Sequence, residues 1–141
     1  GHVRTKLRIT FPFSPSKVAQ AALDYNLMME VYGRSAPKAI DVLADGDGVP
    51  YGRGCVARLV LEDGGVIVEE TTAASPPFYF RKQLLRVEVP SARAPADYAY
   101  TVELRLMEHG EGSTLLIFES EGQLGGSAAC VYACFVAPRQ H

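Results

Sequence analysis

Residues 53–74 read RGCVARLVLEDGGVIVEETTAA. Two runs rich in Val, Ile and Leu flank Asp63-Gly64, a dipeptide that is among the strongest short signals for a two-residue hairpin turn. The stretch therefore predicts two antiparallel strands, over residues 53–62 and 65–74.

The two-residue turn also predicts which residues face each other across the hairpin. On one side it places Arg58 opposite Glu69, and opposite charges in this position indicate an outer face in contact with water. The other side is apolar except for Glu70. Its predicted pairs are Leu61 with Val66, Leu59 with Val68, and Ala57 with Glu70.

The same pattern continues on both sides of the hairpin. Turn residues such as Pro76-Pro77 separate further strands over residues 37–44, 78–88, 98–107 and 114–121. A seventh strand is predicted over residues 3–11, where basic residues alternate with apolar ones. Residues 98–107 alternate most clearly, so one face of this strand is expected to be covered. The residues on that face are Tyr98, Tyr100, Val102, Leu104 and Leu106.

Two short helices are predicted between the first strand and the second. Ser14 can cap the first helix, and Pro15 suits its first turn. The second helix covers residues 27–32 and ends at Gly33. The apolar face of the first helix is formed by Val18, Ala21, Ala22 and Tyr25, and that of the second by Met28, Val31 and Tyr32.

Residues 128–137 form the longest apolar run in the chain. The run is about half of the ~20 residues that a membrane-spanning helix needs, so no membrane span is predicted. Ser127 can cap a closing helix here, and Pro138 would end it. A helix that is apolar on all sides is usually buried or lies in an interface. A strand is the alternative, because periodicity decides poorly for a short apolar run.

Length and composition predict one globular domain over residues 1–141. The 14 basic and 16 acidic side chains give a net charge of −2, which argues against nucleic acid or an anionic membrane surface as a partner. Three cysteines are too few for a disulfide framework and suit a reducing compartment. The first ten residues lack the apolar stretch of a secretory signal, so a cytoplasmic location is expected.

The order of these elements predicts an α+β protein with a helix-grip fold. In this fold a curved antiparallel sheet of about seven strands packs on a C-terminal helix, and two short helices follow the first strand. The chain resembles the START-like, or SRPBCC, superfamily, and within it the polyketide cyclase/dehydrase and lipid-transport branch. The stretches that carry the resemblance are FPFSPSKV at 11–18, YGRGC at 51–55, VEET at 68–71, SPPFY at 75–79 and GST at 112–114.

The resemblance implies a mostly apolar cavity between the sheet and the closing helix, with a few polar groups that orient a ligand. Glu70 is the first candidate for such a group, since desolvation would favour its protonated form. The alternative is a glutamate that reaches water or pairs with an arginine. Arg81 could hold Glu70 or a ligand carboxylate or enolate, and its alternative is an outward, solvated arginine. The candidate ligand-binding residues are Tyr32, Leu59, Glu70, Arg81, Tyr100, Phe118 and Tyr132.

The remaining polar and sulfur-containing residues form no recognisable catalytic or metal motif. The three histidines lie near the termini and in a turn, so no triad can be argued. Cys130 and Cys134 share a helical face without further ligands, and Cys55 likewise suits small apolar packing. The glycine-rich residues 46–54 run into a strand and lack a phosphate-binding motif, so a loop near the cavity mouth is expected. Neither a cofactor nor a metal is expected, and no catalytic residue is assigned.

Three functions remain open at this point. The favoured one is binding or transfer of a hydrophobic small molecule of the lipid, polyketide or isoprenoid type. The first alternative is an enzyme of the cyclase/aromatase or dehydratase kind, in which the same cavity folds the substrate and polar groups assist proton transfer. The second alternative is an interaction module that uses the apolar C-terminal helix, with a second copy of the chain as a candidate partner.

Overall fold

The computed structural model describes residues 3–32, 37–60, 64–88 and 100–122. They form seven strands and two helices. In chain order these are β1 (Val3–Phe11), α1 (Pro15–Gln20), α2 (Tyr25–Tyr32), β2 (Ala39–Ala44), β3 (Val56–Val60), β4 (Val66–Ser75), β5 (Tyr79–Glu88), β6 (Tyr100–Glu108) and β7 (Thr114–Gly122). The closing helix predicted over 128–137 lies outside the described residues.

All seven strands belong to one curved sheet with the order β1-β7-β6-β5-β4-β3-β2. Strands β2 to β7 follow one another as antiparallel neighbours. Strand β1 pairs with β7 along its whole length, from Val3 opposite Gly122 to Phe11 opposite Thr114. The predicted antiparallel sheet of seven strands, with two short helices after the first, is confirmed.

Local capping explains where the helices begin. The Ser14 Oγ accepts a hydrogen bond from the Lys17 N–H at 3.3 Å, and Pro15 occupies the first turn, as predicted. Helix α2 begins at Tyr25, two residues before the predicted start at residue 27. A capping bond fixes this start, because the Asp24 Oδ1 accepts from the Leu27 N–H at 3.1 Å. Tyr25 therefore opens α2 and does not extend the apolar face of α1, which corrects the predicted boundary.

The β3–β4 hairpin differs from its predicted register by one residue. Among the described residues Val60 pairs with Val66, a register that does not fit the two-residue turn predicted at Asp63-Gly64. Gly64 adopts a φ of 86°, which suits glycine in a longer loop. A one-residue shift exchanges the two faces of a strand, so Glu69, and not Glu70, lies on the inner face. The observed pairs are Leu59 with Ile67, Ala57 with Glu69, and Val56 with Glu70.

The inner face of the sheet packs against both helices. Val102 and Leu106 of β6 are buried on this face, as the alternation of apolar and polar residues in β6 predicts. The Phe11 ring meets the Tyr32 ring edge-on, with centroids 5.3 Å apart, and so joins the sheet to the end of α2. The main buried cluster contains Ile9, Phe11, Val18, Ala19, Ala21, Val31, Phe80, Leu106 and Leu116.

The outer face of the sheet is charged, and side chains of opposite sign meet across neighbouring strands. The Lys6 Nζ of β1 lies 3.7 Å from the Glu119 Oε1 of β7. The Arg105 Nη1 of β6 lies 3.9 Å from the same oxygen. Arg58 of β3 contacts Asp41 of β2 at 3.1 Å and does not pair with Glu69 as predicted. These contacts are exposed, so each contributes little to stability.

A hydrogen bond from Thr114 of β7 joins the segment after β1 to the sheet, and its contribution to stability can be tested. Its buried Oγ1 donates to the Phe13 carbonyl at 2.7 Å. We expect Thr114→Val to lower the free energy of unfolding by about 1–3 kcal/mol, because valine keeps the shape and leaves the carbonyl without its donor. Urea denaturation measures this change. The matched control is Thr72→Val, whose exposed hydroxyl donates to Arg81 at 3.3 Å, and an equal loss there would refute the assignment.

Candidate functional site

A cavity of about 60 Å³ lies between the inner face of the sheet and the two helices. Helix α1 and the turn after it supply one wall, Met28 and Tyr32 of α2 supply a second, and five strands supply the floor. Most of its lining is aliphatic or aromatic. The lining residues are Val18, Ala19, Ala22, Met28, Tyr32, Tyr51, Leu59, Glu69, Phe80, Lys82, Leu104, Leu106 and Leu116.

Two opposite charges lie in the floor of this cavity. Lys82 of β5 and Glu69 of β4 face inward from adjacent strands, and the Lys82 Nζ donates to the Glu69 Oε1 at 3.1 Å. Only 11% of the Lys82 side chain and 8% of the Glu69 side chain are exposed. Lysine and glutamate are almost never buried to this degree unless they are paired. The pair therefore places charge beside an apolar space while keeping its own net charge at zero.

Tyr32 brings a phenol to the same region. It is the last residue of α2, and its ring is positioned by Phe11. The residue as a whole is half-buried, but its hydroxyl lies inside the protein. Burial, and secondly the negative charge of Glu69, raise the pKa of Tyr32 from 10.0 to about 12. The phenol is therefore uncharged at neutral pH.

The glycine-rich residues 46–54 form a loop that reaches the cavity through Tyr51. The Tyr51 ring lies 5.9 Å from the Phe80 ring, between centroids, at a tilted angle. The loop needs glycine at two places, because a Cβ on Gly46 would overlap the Gly52 backbone and a Cβ on Gly52 would overlap the Asp47 carbonyl oxygen. These close approaches fold the loop tightly enough to bring Tyr51 to the cavity wall.

Cys55 is a buried free thiol near the ion pair. Its pKa is raised above the ordinary value of 9.0, first by burial and further by the charges of Glu69 and Asp45, while Lys82 acts in the opposite direction. The thiol therefore remains protonated near neutral pH. This agrees with the packing role predicted for it and gives it no nucleophilic character.

The structure distributes the predicted site residues over several environments. Tyr32 and Leu59 line the cavity. Phe118 is fully buried in β7, on the same face as Leu116, and is not among the lining residues. Tyr100 opens β6 opposite Gly122, and only its backbone is described. Tyr132 lies outside the described residues.

Glu70 and Arg81 do not reach the cavity. Glu70 is half-buried on the other face of β4, as the register of the hairpin requires. Arg81 is exposed on the outer face, opposite Glu103 of β6, which is the orientation of the outward alternative. In both cases the inward residue is the charged neighbour in sequence, Glu69 or Lys82.

Sequence reasoning missed Lys82 because β5 carries Arg81, Lys82 and Gln83 in succession. Three consecutive polar residues give no alternation from which to choose a face. The one available signal was that Lys82 lies two residues from Phe80 and two from Leu84, both of which are buried. Tyr51 was missed because it lies in a loop, where side-chain direction has no period.

No group of three or more potential metal-ligating side chains occurs within residues 3–32, 37–60, 64–88 and 100–122. The same ranges contain no helix long and apolar enough to cross a membrane.

Solved structures of other proteins share this arrangement at low sequence identity. The structure of Ara h 8.0201 matches with a TM-score of 0.63 and 14% identity, over 95% of this chain and 89% of that one. A START superfamily protein from Mycobacterium smegmatis matches with a TM-score of 0.61 and 13% identity, over 94% of this chain and 88% of that one. The chain has the START-like fold.

A third START-like structure in this comparison is that of an enzyme. Norcoclaurine synthase from Thalictrum flavum, solved with dopamine and hydroxybenzaldehyde, matches with a TM-score of 0.57 and 8% identity, over 94% of this chain and 83% of that one. Neither a family model nor a curated protein sequence matches the chain. At these identities the likeness establishes the START-like fold alone, and the function has to be argued from the cavity.

The raised pKa of Tyr32 predicts a loss of stability at alkaline pH. The contribution of the protonated Tyr32 phenol to the free energy of unfolding is fully present below pH 10.0. It is lost between pH 10.0 and about 12, because the unfolded chain releases the phenol proton first. Urea denaturation at a series of pH values should show a shallower alkaline decline for Tyr32→Phe than for the wild type. Tyr25→Phe, at an exposed position, is the control, and an unchanged slope in Tyr32→Phe would exclude the effect.

The buried ion pair predicts that removing one charge lowers the free energy of unfolding much more than removing both charges does. We expect Lys82→Met to cost about 3–5 kcal/mol of unfolding free energy, since the buried carboxylate loses its ammonium partner. The double variant Lys82→Met/Glu69→Leu should recover most of this loss. Thermal and urea unfolding measure both. Lys6→Met, which removes an exposed partner of Glu119, should change stability by less than about 1 kcal/mol.

Proposed function

We propose that this protein binds a small hydrophobic molecule in the cavity between its sheet and helices α1 and α2. The observation that carries the proposal is the apolar lining of that cavity, which among the described residues is interrupted by one neutral ion pair and two tyrosines. Sites for small molecules commonly combine a mostly apolar wall with a few placed polar groups. Apolar surface supplies the affinity, and the polar groups fix the orientation of the guest.

The cavity volume limits the size of the guest. A volume of about 60 Å³ exceeds the ~10–15 Å³ that one water molecule needs, and it is well below the ~300–1,000 Å³ of pockets that enclose drug-sized ligands. The cavity as it stands therefore encloses a few heavy atoms, such as a ring or a branched end. A lipid, polyketide or isoprenoid, as the resemblance implies, would place only such a part here unless the walls move apart.

A catalytic function would use different residues from those that the sequence suggested. Of the described side chains, Glu69 and Lys82 are the charged groups that line the cavity, whereas Glu70 and Arg81 lie elsewhere. An enzyme of the cyclase/aromatase or dehydratase kind would therefore rely on Glu69 and Lys82 for proton transfer. Three further predictions rest on the sequence: one domain over 1–141, a cytoplasmic location, and a partner or second copy at residues 128–137.

A series of small aromatic hydrocarbons tests the proposed binding. Benzene, toluene and ethylbenzene should shift the NMR signals of cavity methyl groups, such as those of Leu59 and Leu104. We expect affinity to rise about fourfold for each added carbon, as burial of a methylene implies, until the guest no longer fits.

Substitutions that fill the cavity provide the control for this experiment. Ala22 lines the cavity, so Ala22→Phe should abolish binding of all three hydrocarbons. Ala44→Phe makes the same change at an exposed position of β2, and its binding should match the wild type. If neither these hydrocarbons nor phenol binds the wild type, or if Ala22→Phe binds the hydrocarbons as tightly as the wild type does, the proposed function is wrong.

A further inference from the structure

The buried ion pair sets a condition on the chemistry of any guest. The Lys82 ammonium and the Glu69 carboxylate both border the cavity, 3.1 Å apart, and their charges cancel. The neighbouring ionisable groups, Tyr32 and Cys55, add no charge near neutral pH because their pKa values are raised. The charges on the wall formed by the described residues therefore cancel.

A charged guest meets a penalty at this wall. A carboxylate placed against Lys82 would also approach Glu69, so attraction to one charge is offset by repulsion from the other. The guest would still lose its hydration on entering an apolar space. A cationic guest meets the same difficulty with the signs reversed. Neither sign of charge therefore gains enough from the wall to replace its water.

A guest without any polar atom is also disfavoured. An ammonium group has three N–H donors, and within the described part of the chain the hydrogen-bond acceptor for Lys82 is Glu69. Lys82 lines the cavity. A hydrocarbon held against its ammonium group offers the remaining donors no acceptor, which costs free energy. An uncharged oxygen acceptor on the guest avoids both penalties.

We propose that the Lys82–Glu69 pair selects uncharged guests that carry a hydroxyl or carbonyl oxygen on an apolar body, with this oxygen accepting a hydrogen bond from Lys82. The inference rests on the proposed function, because it names the class of molecule that the same cavity takes. It assigns Lys82 the recognition of the guest oxygen. Glu69 has the complementary role of cancelling the ammonium charge, so that anions gain no advantage.

Three ligands that share one aromatic ring test this selection at pH 7. Toluene has no polar atom, phenol carries an uncharged hydroxyl, and benzoate carries a full negative charge at this pH. Titration calorimetry or NMR titration gives the affinity of each. For the wild type we expect phenol to bind at least about tenfold more tightly than benzoate.

Two variants then assign the selection to the ion pair. Glu69→Gln leaves the Lys82 charge uncompensated, so the ratio of benzoate to phenol affinity should rise by about tenfold or more. Lys82→Met/Glu69→Leu removes both charges, so the ratio of phenol to toluene affinity should fall by a similar factor. Glu119→Gln makes the same charge change on the outer face, where Glu119 contacts Lys6 and Arg105, and should leave both ratios unchanged.

The outcomes separate this inference from the proposed function. If toluene binds but both ratios are the same in the wild type and in the variants, the inference is wrong and the apolar cavity remains. Equal wild-type affinities for phenol and benzoate would overturn it as well. If Glu69→Gln fails to fold, the inference is tested by the ratio of phenol to benzoate affinity in the wild type and by the ratio of phenol to toluene affinity in the double variant. If toluene, phenol and benzoate all fail to bind the wild type, the proposed function fails, and the inference fails with it.

Discussion

The pairing of Lys82 with Glu69 is the constraint on which the interior of this protein depends. Neither charge could lie under the helices alone, because desolvation of a single buried ion is too costly. The two strands must therefore present both residues to the inner face together. This requirement is satisfied by the register that places Ala57 opposite Glu69, and it leaves Glu70 on the other side of the sheet. The same register therefore places Glu69 beside the cavity and Glu70 on the other face of β4.

A buried ion pair is a poor way to stabilise a fold. Apolar residues of similar volume often serve as well or better, since the desolvation of two charges offsets most of their attraction. The pair lies beside a cavity, where apolar side chains could have filled the space. Its position is therefore better explained by recognition than by stability. The stability of the fold comes from the apolar cluster that joins β1 and the two helices to the middle of the sheet.

The sequence predicts the elements of this fold more accurately than it predicts the site. Strand β1 has the predicted bounds, and Ser14 caps α1 as expected, because these features depend on local periodicity and capping. The site depends on register. Val66, Ile67 and Val68 are all buried, so the apolar pattern of β4 fits either register. Glu70 was therefore expected where Glu69 lies, whereas the face of Arg81 was left open because β5 carries three polar residues in succession.

The tyrosines complete the electrostatic description of the cavity. The phenol of Tyr32 keeps its proton up to a pKa of about 12, so it offers a hydrogen-bond donor close to Glu69 without adding charge. Tyr51 reaches the cavity wall from a loop whose fold requires Gly46 and Gly52. Within the described residues, the charges on the wall are those of the ion pair, and they cancel. Because the wall has no net charge, it gives a charged guest no net attraction. The charge of a guest therefore decides how well the guest binds.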